Sequence, residues 1–300
     1  MRLVRFSTDG HPPRLGALRG DRIADLQASL AASLARRGVV RAGEIAAALV
    51  PGSTRQFLEG GAATQEALQA VTDWVTVPAS AARLHAPIAD PGKFICIGLN
   101  YRDHAEETGN PIPKEPPIFG KWANAILDPG EAILRPRGSR QLDWEVELGV
   151  VIGQPARHVP RERALDHVWG YTIVNDVSAR DFQFITSQWM AGKVFETAAP
   201  VGPCIADRSE IPDPHSLTLQ TFVNGKQMQN GNTKTFIFDV AYIVSYLSGL
   251  MTLMPGDLIA TGTPPGVGLA MKPPVWLVPG DVVRMEITGL GSLENPVKDA

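Results

Sequence analysis

Short apolar or alternating runs, separated by glycine and proline, dominate the chain from residue 93 onward. A brief apolar run, or an alternation of apolar and polar positions, is the pattern of a β-strand. Six such runs cover residues 94–97, 145–152, 171–174, 217–223, 258–260 and 282–287. Helical periodicity in this part is convincing only over 239–250, with a partly helical stretch at 178–190. The pattern predicts one large β-rich domain, a sandwich or barrel with helices at its margins.

The first 80 residues follow a different pattern. Short strands are predicted at 3–6 and 22–26, around a glycine-containing turn, and three alanine-rich stretches at 29–37, 42–49 and 64–74 favour helices. The only histidine here, His11, stands beside two prolines, and no carboxylates cluster near it. We therefore expect a small N-terminal α+β domain, residues 1–80, without chemistry of its own. Residues 81–300 form the predicted catalytic domain.

Composition excludes several classes of function. The 300 residues include 28 Lys and Arg against 31 Asp and Glu, a formal charge of −3, so no nucleic-acid partner is expected. Cys96 and Cys204 form no CxxC pair, which favours two buried, unreactive cysteines over a disulfide framework or a thiolate metal site. The N-terminus lacks the apolar stretch of a signal peptide, and no apolar run is long enough to span a bilayer. We expect a cytoplasmic protein without membrane contact.

The strand over 145–152 carries the first chemical signal. Glu145 and Glu147 are two positions apart, so their side chains point to the same face of the strand, and Asp143 joins them if the strand starts early. Neighbouring carboxylates repel each other, whereas a hard cation such as Mg²⁺ binds them. A solvated acidic strand face is the alternative interpretation.

A third carboxylate strengthens the metal interpretation. Asp176 ends the strand at 171–174, at the point where the chain enters a turn. Together with Glu145 and Glu147 it matches a three-carboxylate site for one octahedral Mg²⁺ or Mn²⁺ that leaves positions open for water or substrate. An Asx-turn or a helix N-cap would also explain an aspartate here.

A histidine and a glutamate suggest acid–base chemistry. His104 and Glu107 are three residues apart, so they are neighbours on one helical turn, where the carboxylate would orient the imidazole as a general base. A proline-rich stretch, 108–117, follows them and suggests a mobile lid. Without further context such a pair is an ordinary surface ion pair.

Two weaker signals remain. Lys193 lies in an apolar neighbourhood and would stabilise an anion, unless it is simply exposed. The glycine- and proline-rich segment 261–268 lacks the Lys-Ser/Thr of a P-loop and the GxGxxG of a dinucleotide fold, which disfavours a nicotinamide dehydrogenase. Its free N–H groups and Thr263 are suited to hold a substrate carboxylate, although the segment is also readable as a plain turn.

Taken together, these segments resemble the fumarylacetoacetate hydrolase family, and in particular bacterial members that act on 2,4-diketo acids of the acylpyruvate type. The matching pieces occur in the family's order over roughly residues 93–290. They are Gly98-Leu99-Asn100-Tyr101 with His104 and Glu107, Asp143-Trp144-Glu145-Val146-Glu147-Leu148, Asn175-Asp176 with Arg180-Asp181, Gly192-Lys193, and the segment 261–268.

The resemblance implies an α+β, β-rich fold, in which a mixed β-sandwich or roll forms the catalytic domain beside a small N-terminal α+β module, and it implies a homodimer. It also implies Mg²⁺ or Mn²⁺ held by Glu145, Glu147 and Asp176. By the same resemblance His104 and Glu107 activate a water, and Lys193 stabilises developing negative charge. The implied substrate contacts are Arg180, Gln183, Thr263 and Tyr101. One departure is Asn124, where the family often has a small hydroxyl residue next to the distal pocket.

The expected function is hydrolysis of a C–C bond in a small 2,4-diketo acid, which yields pyruvate and a carboxylic acid. Three alternatives stay open at this point. The same metal site would support an oxaloacetate decarboxylase or tautomerase, or a 2-hydroxy-dienoate isomerase. The third is a catalytically silent dimeric binding protein.

Overall fold

The computed structural model describes residues 1–300, which form 19 β-strands and eight α-helices. The strands are β1 (Arg2–Ser7), β2 (Arg14–Arg19), β3 (Arg22–Asp25), β4 (Thr76–Pro78), β5 (Arg83–His85), β6 (Phe94–Ile97), β7 (Ile118–Lys121), β8 (Ile126–Leu127), β9 (Ile133–Arg135), β10 (Leu142–Asp143), β11 (Val146–Ile152), β12 (Val168–Asn175), β13 (Ser178–Ala179), β14 (Ala199–Asp207), β15 (Thr218–Val223), β16 (Lys226–Asn232), β17 (Leu258–Ala260), β18 (Val282–Ile287) and β19 (Gly291–Asp299). The helices are α1 (Leu26–Arg36), α2 (Ala42–Leu49), α3 (Thr54–Glu59), α4 (Gly61–Gln69), α5 (Arg102–Glu107), α6 (Arg161–Ala164), α7 (Arg180–Gln183) and α8 (Val240–Leu250).

Two large sheets enclose the main core. A 12-stranded sheet runs in the order β4-β3-β2-β1-β14-β12-β11-β17-β6-β7, with β5 added to β1 and β8 to β14. A five-stranded sheet has the order β16-β15-β18-β19-β9, and β10 pairs with β13. Buried side chains of both sheets, among them Leu148 and Ile173 from one and Leu219 and Met285 from the other, belong to a single apolar cluster. The α+β, β-rich class that the sequence predicts is confirmed.

The N-terminal strands continue the catalytic sheet. β1 pairs antiparallel with β14, which places Leu3 opposite Ile205. A chain of hydrogen bonds adds a second connection: Ser7 Oγ lies 2.8 Å from His85 Nε2, and His85 Nδ1 lies 2.6 Å from Asp128 Oδ2. The main-chain pairing therefore crosses the domain boundary that the sequence places at residue 80.

The predicted helices form, and α2 has the predicted bounds, whereas the ends of the others differ from the predictions. The stretch predicted as a helix over 64–74 is helical only as far as Gln69. Beyond it, Val75 directly precedes β4 and donates its N–H to Ser29 Oγ at 2.9 Å, which anchors the chain to α1. No helix has both the length and the apolar character needed to cross a membrane. Cys96 and Cys204 are free and buried, as the composition predicts.

Two long strands are absent from the sequence prediction. β14 contains Pro200 and Pro203, and β19 contains Pro296. Proline lacks an N–H and normally argues against a position within a sheet. The ladder between β12 and β14 accommodates its prolines through a register shift between Tyr171 and Ile173. In β14 and β19, pairing with strands distant in sequence thus outweighs the prolines, which locally disfavour a strand.

Replacing Asp239 with alanine tests the N-terminus of α8. Its side chain accepts the Tyr242 N–H at 2.7 Å and pairs with Arg161. Burial alone would raise the pKa of Asp239, but these two partners lower it. We expect Asp239→Ala to lower the free energy of unfolding by about 1 kcal/mol at neutral pH. The difference from wild type shrinks as pH falls through the lowered pKa, because the protonated side chain no longer stabilises the helix.

Urea denaturation at neutral pH and at about pH 3 measures this effect. The matched control is Asp73→Ala, which removes an exposed ion pair with Arg36 at 3.3 Å and should change stability by less than about 0.5 kcal/mol. Equal losses in the two variants would contradict the assignment of the cap.

Candidate active site

Three carboxylates meet at the adjoining ends of β11 and β12. Glu145 directly precedes β11, Glu147 is its second residue, and Asp176 directly follows β12. The register pairs Val146 with Asn175, so Glu145 and Asp176 lie across from each other, and the Asp176 N–H donates to the Glu145 carbonyl at 2.9 Å. One oxygen from each side chain lies within 4.8 Å of the other two, and all three residues are buried. The carboxylates that the sequence pattern groups are therefore neighbours in space.

Three cations lie against this cluster. Lys193 Nζ is 2.9 Å from Glu145 Oε2 and 2.8 Å from Asp176 Oδ2. Lys121 Nζ is 2.7 Å from Asp176 Oδ1. Arg180 Nη2 is 2.6 Å from Glu145 Oε1. Since all of these groups are buried, the ion pairs offset the cost of removing each charge from water.

Asp143 does not join the two glutamates. β11 begins only at Val146, and Asp143 belongs to the short strand β10 instead. Its Oδ2 lies 2.8 Å from Arg180 Nη2, and its Oδ1 accepts the Gly268 N–H at 2.7 Å. Asp143 therefore positions Arg180 and a neighbouring loop, and it contributes no oxygen to the three-carboxylate cluster.

Glu147 is the one carboxylate of the cluster without a cation at ion-pair distance. Its Oε2 accepts only the Gly262 N–H, at 2.8 Å, and Gly262 has a φ of +96°, a conformation that glycine adopts readily. Burial raises the pKa of Glu147 well above its usual range, and the charges of Asp176 and Glu145 raise it further. In the absence of a metal, the surroundings of Glu147 therefore favour the protonated form of its carboxyl group.

Glu145 behaves in the opposite way. Burial by itself would raise its pKa, but Lys193 and Arg180 outweigh that effect and hold the pKa of Glu145 at about 2. The pKa values of two carboxyl groups separated by a single residue are thus shifted in opposite directions, because only one of them has cationic partners.

The donor set fits a hard divalent cation. Only three cations, Lys121, Arg180 and Lys193, face the four carboxylates Asp143, Glu145, Glu147 and Asp176. When all of them are ionised, this group of seven side chains carries one net negative charge. A buried glutamate without a cation, beside two further carboxylate oxygens within 4.8 Å, offers the all-oxygen ligand set that Mg²⁺ and Mn²⁺ prefer. The cluster is therefore a possible acidic metal site.

His104 and Glu107 lie together on α5. His104 is buried, and its Nδ1 is 3.4 Å from Glu107 Oε1. The other oxygen, Glu107 Oε2, accepts the Gly266 N–H at 2.8 Å, which ties α5 to the segment 261–268. Because Nδ1 faces Glu107, Nε2 is the ring nitrogen available to accept a proton from water.

The N–H groups of the segment 261–268 serve a purpose that the sequence analysis did not predict. Gly262 donates to Glu147, Gly266 to Glu107 and Gly268 to Asp143. We expected these groups to hold a substrate carboxylate, but they hold carboxylates of the protein itself. The turn therefore positions the acidic side chains.

A cavity of about 330 Å³ joins the carboxylates to α5. Its wall includes seven of the residues predicted from sequence: His104, Glu145, Glu147, Arg180, Gln183, Lys193 and Thr263. Tyr101 does not reach the wall, because its fully buried ring packs against Phe236 with 4.7 Å between ring centroids. Asn124 is also absent from the wall. It is exposed and donates to the Val194 carbonyl at 3.0 Å, so this departure from the family pattern does not shape the cavity.

Sequence reasoning missed two residues that organise the site. Lys121 is fully buried at the end of β7, and besides contacting Asp176 its Nζ donates to the carbonyls of Lys193 and Ala198 at 2.7 and 2.8 Å. The sequence did contain a signal for Lys121, because a lysine at the end of a short apolar strand indicates a buried charge that needs a partner. Gln229 donates to Thr263 Oγ1 at 2.8 Å, and nothing in its local sequence indicates this role.

Comparison with known proteins identifies the family. Residues 93–298 match the family model described as fumarylacetoacetate (FAA) hydrolase C-terminal. The chain belongs to the fumarylacetoacetate hydrolase family. The matched region contains every residue of the cluster and both residues of the His104–Glu107 pair, so the resemblance drawn from the sequence is confirmed.

Similar proteins include named hydrolases and named isomerases. A presumed hydrolase from Burkholderia multivorans is 55% identical over 211 residues, which are 70% of this chain and 75% of the relative. The structure of maleylpyruvate hydrolase from Sphingobium sp. SYK-6 in complex with manganese(II) and pyruvate is 31% identical, with a TM-score of 0.74 and full coverage of both chains. The 2-hydroxyhepta-2,4-diene-1,7-dioate isomerase from Mycobacterium marinum is 32% identical, with a TM-score of 0.75, and the match covers 100% of this chain and 98% of that one.

The raised pKa of Glu147 leads to a prediction about the stability of the metal-free protein. A carboxyl group whose pKa is raised by folding stabilises the protein at low pH, and this contribution is lost as pH rises through the raised value. We expect Glu147→Gln, which carries no charge at any pH, to remove that loss. In EDTA, the free energy of unfolding of the variant should therefore rise relative to that of wild type as pH increases from about 5 to 8. The expected difference grows by up to about 1.4 kcal/mol per pH unit.

Urea denaturation across this pH range gives the comparison. Glu294→Gln is the matched control, since this glutamate is exposed and its substitution should leave the pH dependence of wild type in place. Parallel curves for wild type and Glu147→Gln would show that Glu147 is not a buried, uncompensated acid.

Proposed function

We propose that this protein is a divalent-metal-dependent hydrolase that cleaves the C3–C4 bond of a 2,4-diketo acid. The observation that carries the proposal is one cavity wall that contains both His104, backed by Glu107, and the buried glutamates of the acidic cluster. A general base and a site for a Lewis acid thus face the same volume. The named activity of the Sphingobium neighbour, and the manganese and pyruvate in its structure, support this choice.

Glu145, Glu147 and Asp176 would hold Mg²⁺ or Mn²⁺. A bound cation would supply Lewis acidity toward the C2 oxygen of a diketo acid, which carries the enolate charge that develops when the C3–C4 bond breaks. As a ligand Glu147 would have to be ionised, and its raised pKa in the metal-free cluster would make metal binding compete with protonation. Lys121 keeps one oxygen of Asp176 in place from the side away from the cavity.

The residues of the chain account for the proton movements. His104 Nε2 takes a proton from a water that attacks the C4 carbonyl, while Glu107 holds the Nδ1 side of the ring and so fixes the tautomer. Lys193 has three N–H donors and uses two of them on carboxylates, which leaves one for the oxyanion at C4. The C3–C4 electron pair then passes to C3, which is reprotonated. The balanced products are pyruvate and the carboxylic acid of the tail.

Removing the histidine tests the role of the base. We expect His104→Ala to lower kcat by about 10²- to 10⁴-fold with little change in Mn²⁺ affinity, because the imidazole moves a proton and holds no metal. The measurement is the loss of the enol absorbance of acetylpyruvate together with pyruvate formation. The control is His11→Ala, because His11 is exposed and lies near the N-terminus, far from His104 in the sequence. This variant should be fully active. Turnover by His104→Ala within a few-fold of wild type would rule out this assignment.

Metal removal tests the acidic cluster. Excess EDTA should abolish turnover, and Mn²⁺ or Mg²⁺ should restore it. Calorimetric titration should show one Mn²⁺ per chain, bound at least about 10-fold more weakly by Glu147→Gln than by wild type. Glu294→Gln should bind Mn²⁺ like wild type. Retention of full affinity in Glu147→Gln would exclude Glu147 as a ligand.

Isomerisation is the second candidate reaction, because the Mycobacterium marinum neighbour is a named 2-hydroxy-dienoate isomerase at similar identity. The two reactions differ in their products. Hydrolysis releases pyruvate and a second acid, whereas isomerisation leaves one product of unchanged mass. Mass spectrometry of the same reaction mixtures therefore distinguishes them.

A further inference from the structure

A second pairing of a nucleophile with a base lies outside the cavity, where the N-terminal strands meet the catalytic sheet. Ser7 is the last residue of β1, and His85 is the last residue of β5, which pairs antiparallel with β1. Ser7 Oγ lies 2.8 Å from His85 Nε2, and His85 Nδ1 lies 2.6 Å from Asp128 Oδ2. A hydroxyl, an imidazole and a carboxylate in this order, each within hydrogen-bond reach of the next, form the constellation of an activated serine nucleophile.

The carboxylate decides which ring nitrogen carries the proton. Because a carboxylate has no proton to donate, Nδ1 is the protonated nitrogen of the neutral His85 ring and donates to Asp128. Nε2 then accepts the hydrogen bond of the Ser7 hydroxyl, which is the position of a general base toward its nucleophile. Asp128 is itself held in place, since its Oδ1 accepts the Ala86 N–H at 2.8 Å. The orientation of the base is therefore set by the protein alone.

The three groups differ in their exposure to solvent. His85 is buried, with 8% of its surface exposed, and the Asp128 side chain is 24% exposed. Ser7 is half-buried, and the turn that follows it is open: Asp9 and Gly10 are exposed, and nothing lies within 4 Å of the Cβ position of Gly10. The base is thus largely screened from water, while Ser7 borders a surface from which a small molecule can approach.

Backbone donors stand directly beside the nucleophile. The N–H groups of Thr8, Asp9 and Gly10 make no backbone hydrogen bond. In serine hydrolases with a nucleophile at the end of a strand, the N–H of the next residue is one of the donors that stabilise the oxyanion. The Thr8 N–H is therefore available to the oxygen of a carbonyl group that Ser7 attacks.

We propose that Ser7, His85 and Asp128 form a second catalytic site, which hydrolyses small uncharged carboxylic esters. Ser7 Oγ forms a bond to the ester carbonyl carbon while His85 Nε2 takes the hydroxyl proton. The bond to the alcohol oxygen then breaks, and the alcohol leaves with that proton. A water cleaves the acyl-serine in the same way, which releases the carboxylic acid and returns a proton to Ser7. No step needs a metal, so this activity does not depend on the proposed diketo-acid hydrolysis.

Ester hydrolysis and covalent labelling in excess EDTA test the proposal, because EDTA silences the proposed metal-dependent reaction. We expect wild type to hydrolyse p-nitrophenyl acetate and to be labelled by a fluorophosphonate on Ser7, as located by mass spectrometry of its peptides. Ser7→Ala should lose the label and lower ester turnover by at least about 100-fold. Ser80→Ala is the matched control: it removes an exposed hydroxyl from the same part of the chain and should react like wild type.

Asp128→Asn tests whether the three residues act as a unit. The amide keeps the size of the side chain but can donate a hydrogen bond to Nδ1, which favours the ring tautomer that cannot take the serine proton. We expect the rate of Ser7 labelling to fall by about 10²- to 10⁴-fold. Asp21→Asn, at an exposed aspartate of the N-terminal strands, should be labelled at the wild-type rate.

The labelling of wild type decides the proposal whether or not a variant folds. Absence of a label on Ser7, or equal ester turnover by wild type and a folded Ser7→Ala, would overturn it. The hydrogen bonds would then serve only to tie β1 to β5. Urea denaturation of Ser7→Ala and Asp128→Asn shows that each variant is folded under the assay conditions, so that a lost reaction reports on the triad.

Discussion

The balance between four buried carboxylates and three buried cations constrains the rest of the structure. Moving each of these charges out of water costs several kcal/mol unless a partner is in place. The elements that carry them must therefore meet with fixed geometry. β11 and β12 present Glu145 and Asp176 across one register, β7 delivers Lys121 from the sheet edge, and the segment after α7 returns Lys193. A shift of register in any of these would leave a buried charge without its partner.

The segment 261–268 completes this arrangement with backbone donors. Its glycine N–H groups hold carboxylates from three separate parts of the chain, one in β11, one on α5 and one in β10. Glycine permits the positive φ at positions 262 and 266, which aims these donors at the acids. Through these backbone donors the loop sets the distance between the acidic cluster and the helix that carries His104.

The same charge balance extends to the cavity wall, which includes Glu145, Glu147, Arg180 and Lys193. Both cations on the wall, Arg180 and Lys193, are paired with carboxylates of the protein, and the rest of the wall contains polar as well as apolar side chains. Solved structures similar to this chain include a named hydrolase and a named isomerase, so the fold by itself does not fix the reaction.

The sequence by itself determined the strands with strong periodicity, the helix near residue 240 and the grouping of Glu145 with Glu147, because these depend on neighbours along the chain. It also placed His104 and Glu107 on one helical turn, for the same local reason. Only the tertiary structure decided that Lys121 and Gln229 belong to the site and that Asp143 turns toward Arg180. It also decided that proline-containing strands pair and that the loop glycines hold protein carboxylates. Those outcomes depend on contacts between residues far apart in sequence, and buried charge and long-range strand pairing fix such contacts without leaving a local pattern.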